Sequence, residues 1–324
     1  MKKTPVKSEG IRDNRIDNVR FILIVLVVCG HLLELIPGTS AAYKFIYSFH
    51  MPVFIYITGY FAKFDVKKYL MKLVMPYIAF QILYLVFDGT VLKDSKPKIQ
   101  FTTPYWLLWY IFAIIVYYLL VPILAKLESN ILIGIIILSF ALGLYIGNID
   151  KAGYYLSISR IIVFLPFFLL GYYCKRTGFD RKIAESLKSE LVGIRAIVLA
   201  VVGSIAIVKA EIPVRMLYGS YSYTEGKGAM WMRLTIYIVA ILWIMVLCGS
   251  VTNKKLPCIT AIGQNTMPVY LLHGFVIKLL KKYKVFHYGL TENIVIMLLV
   301  AIAIVFVLGC LRIKKESITR LLSK

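Results

Sequence analysis

The sequence predicts an all-α integral membrane protein of about ten transmembrane helices, and three of its features carry that prediction. Sixty per cent of the 324 residues are hydrophobic and the mean hydropathy is +0.79, more apolar surface than a water-soluble domain of this length can hide. Mostly apolar segments of about 17 to 22 residues recur, each long enough to cross roughly 30 Å of hydrocarbon as a helix. The basic excess, a net charge of +22, lies mainly between those segments. In a soluble chain it would point to nucleic acid; here it fits membrane orientation, and no nucleic-acid partner is expected.

In chain order, the first 20 residues are polar, without an early apolar run or a small-residue cleavage site, so the first span, 20–36, is read as a retained anchor and not a signal peptide. The spans that follow are 43–62, 73–91, 104–125, 130–147, 157–174, 191–210, 231–250, 258–279 and 292–311. With the N-terminus in the cytoplasm, 24 of the 38 Lys and Arg fall inside and 14 outside. That bias places both termini inside and the chain in the cell (plasma or inner) membrane as a multi-pass protein. Lys278, Lys281, Lys282 and Lys284 run against it, on the outer side after the ninth span. The connecting segments Lys63–Lys72, Lys93–Thr103, Lys126–Asn130, Lys175–Glu190 and Thr252–Pro257 are short, and one longer outer loop runs Glu211–Met230; none holds an independent domain, so residues 1–324 are read as one membrane domain with no soluble appendage. Pro52, Pro76, Pro122, Pro166 and Pro268 fall inside spans, where a missing donor is expected to kink a helix and make room for polar groups.

Chemistry has to come from the spans themselves. There is no Gly-rich phosphate loop, no GxSxG and no HExxH, and the five cysteines show no paired spacing, so no metal site is expected. An ionisable residue in hydrocarbon is costly and usually faces a cavity. Arg20 and His31 lie eleven residues apart, about three helical turns plus 20°, on one face and roughly 16 Å apart along the axis. Asp17 precedes Arg20 by three residues and Glu34 follows His31 by three, so two charged pairs stand at two depths. His50 and His273 enter the membrane in other spans and are expected to converge with His31 and Glu34 in the outer half. Lys67, Lys68 and Lys72 form an inner basic edge before Pro76. Arg160 and Arg233, beside Tyr154, Tyr155 and Trp231, sit near the outer boundary, where they suit lipid headgroups, a lipid phosphate or an acidic sugar. Outer aromatics, Trp106 and Tyr218 among them, suit an interface belt or sugar stacking.

The order of these motifs resembles the acyltransferase family 3 membrane enzymes, especially the fucose 4-O-acetylase-like branch. The matching stretches are RIDNVR with R-x10-H at Arg20 and His31, FHMPVFIYITGY with His50, and the basic run ending K-x3-PY at Lys72–Tyr77. WLLWYIF at 106–112, SRIIVFLPFFLLGYY at 159–173 and IGQNTMPVYLLHGF at 262–275 complete the series. The resemblance implies a ten-helix enzyme that moves an acyl group, usually acetyl, from cytoplasmic acetyl-CoA to a hydroxyl of a surface or lipid-linked glycan. Where the family often has paired arginines before the third helix, this chain has lysines, which are point charges without the bidentate fork.

On that implication His31 is the expected general base and Glu34 its partner, with an acetyl-histidine intermediate as the variant route. His273 or His50 polarises the oxyanion or positions the acceptor. Arg20, Lys68 and Lys72 hold the donor; Arg160, Arg233 and Trp106 hold the acceptor. The acceptor is a glycan reached directly or through a separate extracytoplasmic acyl-accepting protein. Two rival classes are a transporter of a glycan or lipid-linked sugar, which needs two accessible states but no base, and a scaffold subunit of a polysaccharide-assembly complex.

Overall fold

Helix α1 (Asn14–Leu33) carries an unbroken run of Ile, Leu and Val from Ile22 to Val28. Surrounded by apolar groups, such a segment satisfies its backbone only by closing its own hydrogen bonds. Val19, Leu23, Ile24, Val28 and Leu32 are wholly buried. The apolar window of α1 is 67% buried, against 17% for the span Val66–Thr90, so α1 is the axis of the bundle. This computed structural model describes residues 14–93, 103–150, 155–187, 189–223 and 230–322, with side chains as far as 311. Residues 1–13, Tyr154, most of the expected loop Lys93–Thr103 and part of Glu211–Met230 lie outside the described residues.

Among the described residues the regular elements are all helices, and eight are long and apolar enough to cross a membrane unbroken. The expected spans 43–62 and 258–279 are each discontinuous. The first consists of α2 (Ser40–Tyr47) and α3 (His50–Tyr60), the second of α13 (Pro257–Gln264) and α14 (Thr266–Lys282). Pro52 is the third residue of α3 and Pro268 the third of α14. Both occupy a first turn, where the missing N–H has no intrahelical partner to lose. These prolines follow breaks instead of kinking continuous helices. Pro76 behaves similarly: α4 (Val66–Tyr69) passes through a π turn at Leu70–Val74 into α5 (Met75–Thr90), with Pro76 second in α5. The helix therefore starts at Val66, earlier than expected, and Lys67, Lys68 and Lys72 lie on it.

The remaining helices are α6 (Trp109–Leu124), α7 (Ser129–Tyr145), α8 (Ile158–Thr177), α9 (Phe179–Ser186), α10 (Glu190–Lys209), a single turn α11 (Val214–Leu217), α12 (Met230–Ser250) and α15 (Leu290–Leu322). Their outer faces expose rows of aliphatic side chains, among them Ile137 and Leu138, Val198 and Val202, Leu299 and Ile302. That is the lipid-facing belt of a membrane protein. Two crossings fix the interior. At the α3–α8 crossing a Cβ on Gly59 would lie 1.9 Å from the Phe168 carbonyl oxygen, and one on Gly171 would lie 1.9 Å from that of Tyr56, so two glycines bring the backbones together. At the α1–α13 crossing Gly263 is pressed against the Asp17 carbonyl in the same way. Asn18 ties that end down, donating to the carbonyls of Thr252 (2.9 Å) and Lys254 (3.1 Å) and accepting from Thr260 Oγ1 (2.7 Å).

Candidate active site

After Leu33 the chain turns back through Gly38, whose φ of +84° is the left-handed conformation glycine supplies. Thr39 closes the reversal, its hydroxyl donating to the carbonyls of Leu33 (2.9 Å) and Ile36 (2.8 Å). Helix α2 then runs back along α1, bringing Tyr43 and Tyr47, one turn apart, over His31 and Glu34. Gly30 makes room for this: a Cβ there would sit 2.9 Å from the Tyr47 ring.

Glu34 Oε1 accepts three hydrogen bonds, from Tyr43 Oη (2.9 Å), Tyr47 Oη (3.1 Å) and His31 Nδ1 (3.0 Å). Tyr47 Oη is also 3.1 Å from His31 Nδ1, and the hydroxyls of Tyr43 and Tyr218 meet. With Nδ1–H donated to a carboxylate, His31 keeps its lone pair on Nε2. The His31 side chain is 13% exposed. Its ring meets Trp106 edge-on at 5.1 Å between centroids and lies 5.6 Å from the ring of His273.

His273 arrives from α14, which is anchored to α5 and to the start of the α6 span. Tyr84 stacks on Phe275 at 4.1 Å and donates to the Leu271 carbonyl at 2.8 Å, and Tyr270 donates to the Leu107 carbonyl. His273 Nδ1 donates to the carbonyls of Val269 (2.9 Å) and Tyr270 (2.8 Å), and its buried Nε2 has no partner among the described residues. His50 is likewise buried, with Nδ1 donating to the Ile46 carbonyl at 2.9 Å.

Two chambers flank this cluster. One, of about 290 Å³, is lined by His31, Glu34, Tyr47, His50, Trp106 and Arg160. The other, of about 210 Å³, is lined by Arg20, Phe54, Thr58, Leu73, Tyr118 and Thr266. Val27, Met51 and Tyr270 wall both, so the chambers abut there. Arg20, Val27 and His31 lie on one stripe of α1, at i, i+7 and i+11. In the second chamber Arg20 donates to Thr266 Oγ1 (3.3 Å) and lies 3.8 Å from Asp17. Arg160 lies over the rings of Trp109 (5.1 Å) and Tyr218 (5.9 Å) in the first.

The other sequence-selected residues are not gathered here. Lys68 is exposed and pairs with Asp65 at 3.3 Å, Lys72 is exposed beside the chamber-lining Leu73, and neither lines a chamber. The backbone N–H of Lys68 caps onto Asp65, which holds that exposed carboxyl below its ordinary range. Arg233 is fully buried, donating to the Tyr221 carbonyl at 3.1 Å over the ring of Tyr223, away from both chambers. Tyr43 and Tyr47 were not selected from the sequence. Their signal was the i, i+4 spacing in YKFIY just before His50.

The family model for an acyltransferase domain, acyltransferase 3, matches residues 13–312. Nodulation protein NolL of Mesorhizobium japonicum is 23% identical over 93% of this chain and 86% of its own length. Nodulation protein NolL of Sinorhizobium fredii is 48% identical over 58 residues, 16% of either chain. No solved structure matches. One family accounts for the chain from the start of α1 to residue 312, within α15, and the chain belongs to it, the acyltransferase 3 family.

Proposed function

We propose that this acyltransferase is a membrane O-acetyltransferase: it takes acetyl from acetyl-CoA entering at the Arg20 end and passes it to a glycan hydroxyl entering at the His31 end. The observation that carries this reading is the pair of chambers meeting at Val27, Met51 and Tyr270, with His31 just beyond the junction. Arg20 and His31 are separated by roughly 16 Å of helix. The walls between them, Val27, Met51, Phe54 and Ile57, suit the slender thiol arm of a CoA thioester, while the guanidinium of Arg20 suits its phosphates. Lys72, the sequence neighbour of the chamber-lining Leu73, is the second cation offered to them.

His31 Nε2 takes the proton of the acceptor hydroxyl as its oxygen attacks the thioester carbonyl carbon. The C–O bond forms, the C–S bond breaks, and the departing sulfur receives that proton from the imidazolium, so free thiol and acetyl ester leave. Glu34 fixes the ring through Nδ1 and balances the imidazolium. Because Nδ1 of both His50 and His273 is donated to the backbone, each presents Nε2 as an acceptor, suited to orienting acceptor hydroxyls. Arg160 is the cation facing the developing oxyanion or an acidic substituent of the sugar, and Trp106 and Trp109 offer stacking faces. On this orientation the Arg20 end faces the cytoplasm of a plasma or inner membrane.

The test uses the purified protein in detergent with acetyl-CoA and a panel of glycans. Free CoA is expected to appear only when an acceptor is present, and His31→Ala is expected to abolish its release. In vesicles, acetyl-CoA is expected to act only from the Arg20 side. A folded His31→Ala protein that still transfers acetyl refutes the proposal.

A further inference from the structure

Four lysines at the end of α14 and just beyond it fall on the side expected to carry fewer of the chain's Lys and Arg, and three of them, Lys278, Lys281 and Lys282, fall at i, i+3 and i+4 on one helical face. They line a third cavity, of about 490 Å³, with Leu35, Leu92 and Ile277. Glu34 and Trp106 complete its wall, and both also line the His31 chamber, so the two spaces adjoin. Lys278 is held by Asp88 (2.8 Å and 3.1 Å) over the ring of Tyr105. Lys282 donates to the Val91 carbonyl at 2.6 Å. Among the described residues no carboxylate pairs with Lys281 or Lys282. Among the described residues, the two acids that the cavity and its lysines touch are already committed, Asp88 to Lys278 and Glu34 to its three donors.

We infer that this basic vestibule is an acceptor subsite that holds an anionic group, a sugar carboxylate or a phosphate ester, while a neighbouring hydroxyl reaches His31. This deepens the function proposed above and rests on it. The charges account for the vestibule's placement. A cation at the mouth concentrates anions, and Trp106, shared by vestibule and chamber, gives a sugar ring a surface between the anion and the base. Basic residues in a last helical turn also favour the helix dipole, but that role leaves discrimination between charged and neutral acceptors untouched.

The test measures equilibrium binding, followed by tryptophan fluorescence, to the full-length His31→Ala protein, which separates binding from turnover. The probes are a uronic-acid oligosaccharide, its carboxyl-reduced neutral counterpart, and a polyprenyl-diphosphate-linked sugar. At least one anionic probe is expected to bind about tenfold more tightly than the neutral one. That preference is expected to shrink with added salt, to disappear in Lys281→Gln/Lys282→Gln, and to survive in Lys281→Arg/Lys282→Arg. Preference for the uronate alone identifies a sugar carboxylate as the anion, and preference for the diphosphate alone identifies the lipid phosphate. Equal binding of charged and neutral probes, or a preference unchanged by the glutamine pair, overturns the inference. Selective anion binding by a protein that transfers no acetyl leaves the vestibule standing and removes the proposed function instead.

Discussion

Replacing Glu34 by glutamine removes one charge and almost no shape. The amide oxygen still accepts from Tyr43, Tyr47 and His31 where Oε1 does now. What disappears is the full negative charge 3.0 Å from the ring that becomes imidazolium in the transfer proposed above. A hydrogen bond to a charged group contributes about 1.5–3 kcal/mol, against about 0.5–1.5 for a neutral pair. The added Coulomb attraction is tempered because the Glu34 side chain is 32% exposed. Together these give about 2–3 kcal/mol of lost transition-state stabilisation, a fall in kcat of roughly 30- to 150-fold. Glu34 does not line the Arg20 chamber, so KM for acetyl-CoA should stay within about threefold. The assay follows free CoA with a thiol reagent in the presence of acceptor, with the melting temperature in detergent as the check on folding. Glu34→Gln combined with His31→Ala should fall no further than His31→Ala alone, because the carboxylate acts through the ring. A folded Glu34→Gln enzyme turning over within threefold of wild type, or independent losses in the double variant, refutes this assignment.

Three further outcomes follow from the packing. Val27→Phe adds bulk where the chambers meet and should cut transfer at least tenfold, an order-of-magnitude expectation for a displaced thioester, read as free CoA released in the presence of acceptor by a protein whose melting temperature is kept. Gly171→Ala places a methyl 1.9 Å from the Tyr56 carbonyl and should cost about 3 kcal/mol or more, read as a lower melting temperature; Gly134→Ala, with nothing within 4 Å, should be neutral or slightly stabilising. Asp88→Asn strands the largely buried Lys278 and should destabilise by about 3 kcal/mol, whereas Asp88→Leu with Lys278→Met should recover most of the loss in the same thermal assay.

The stripe on α1 was legible in the sequence because a helix converts spacing into direction: Arg20, Val27 and His31 follow one another along it, and Glu34, just past the helix end, still reaches His31. The convergence of His50 and His273 was legible only as a matter of depth, since their partners come from elements far apart in the chain. The breaks at 48–49 and 265 were not legible, because a proline read alone does not distinguish a kink from a fresh first turn. Tyr43 and Tyr47 were hidden for a related reason. Aromatics near a membrane boundary have an ordinary explanation, and only the reversal at Gly38–Thr39 aims these two at Glu34. Arg233, chosen from the sequence with Arg160, is directed to the Tyr221 carbonyl, because burial at the head of α12 places it between backbone and the Tyr223 ring. The lysines of α14 were visible as an exception to the charge bias, but their shared cavity was not.

The thin wall of Val27, Met51 and Tyr270 has a consequence for the living cell. Wetted spaces reaching inward from opposite faces would, if they merged, let protons and sodium run down their gradients and discharge the membrane potential. Two apolar side chains and a tyrosine stand between the chambers as an oily plug that opposes a hydrated ion, and on the route proposed above a thioester arm would thread it as a single file of methylenes and amides. On that proposal insulation and delivery reside in the same three side chains, and widening the plug should make the cell leaky before it makes the enzyme faster.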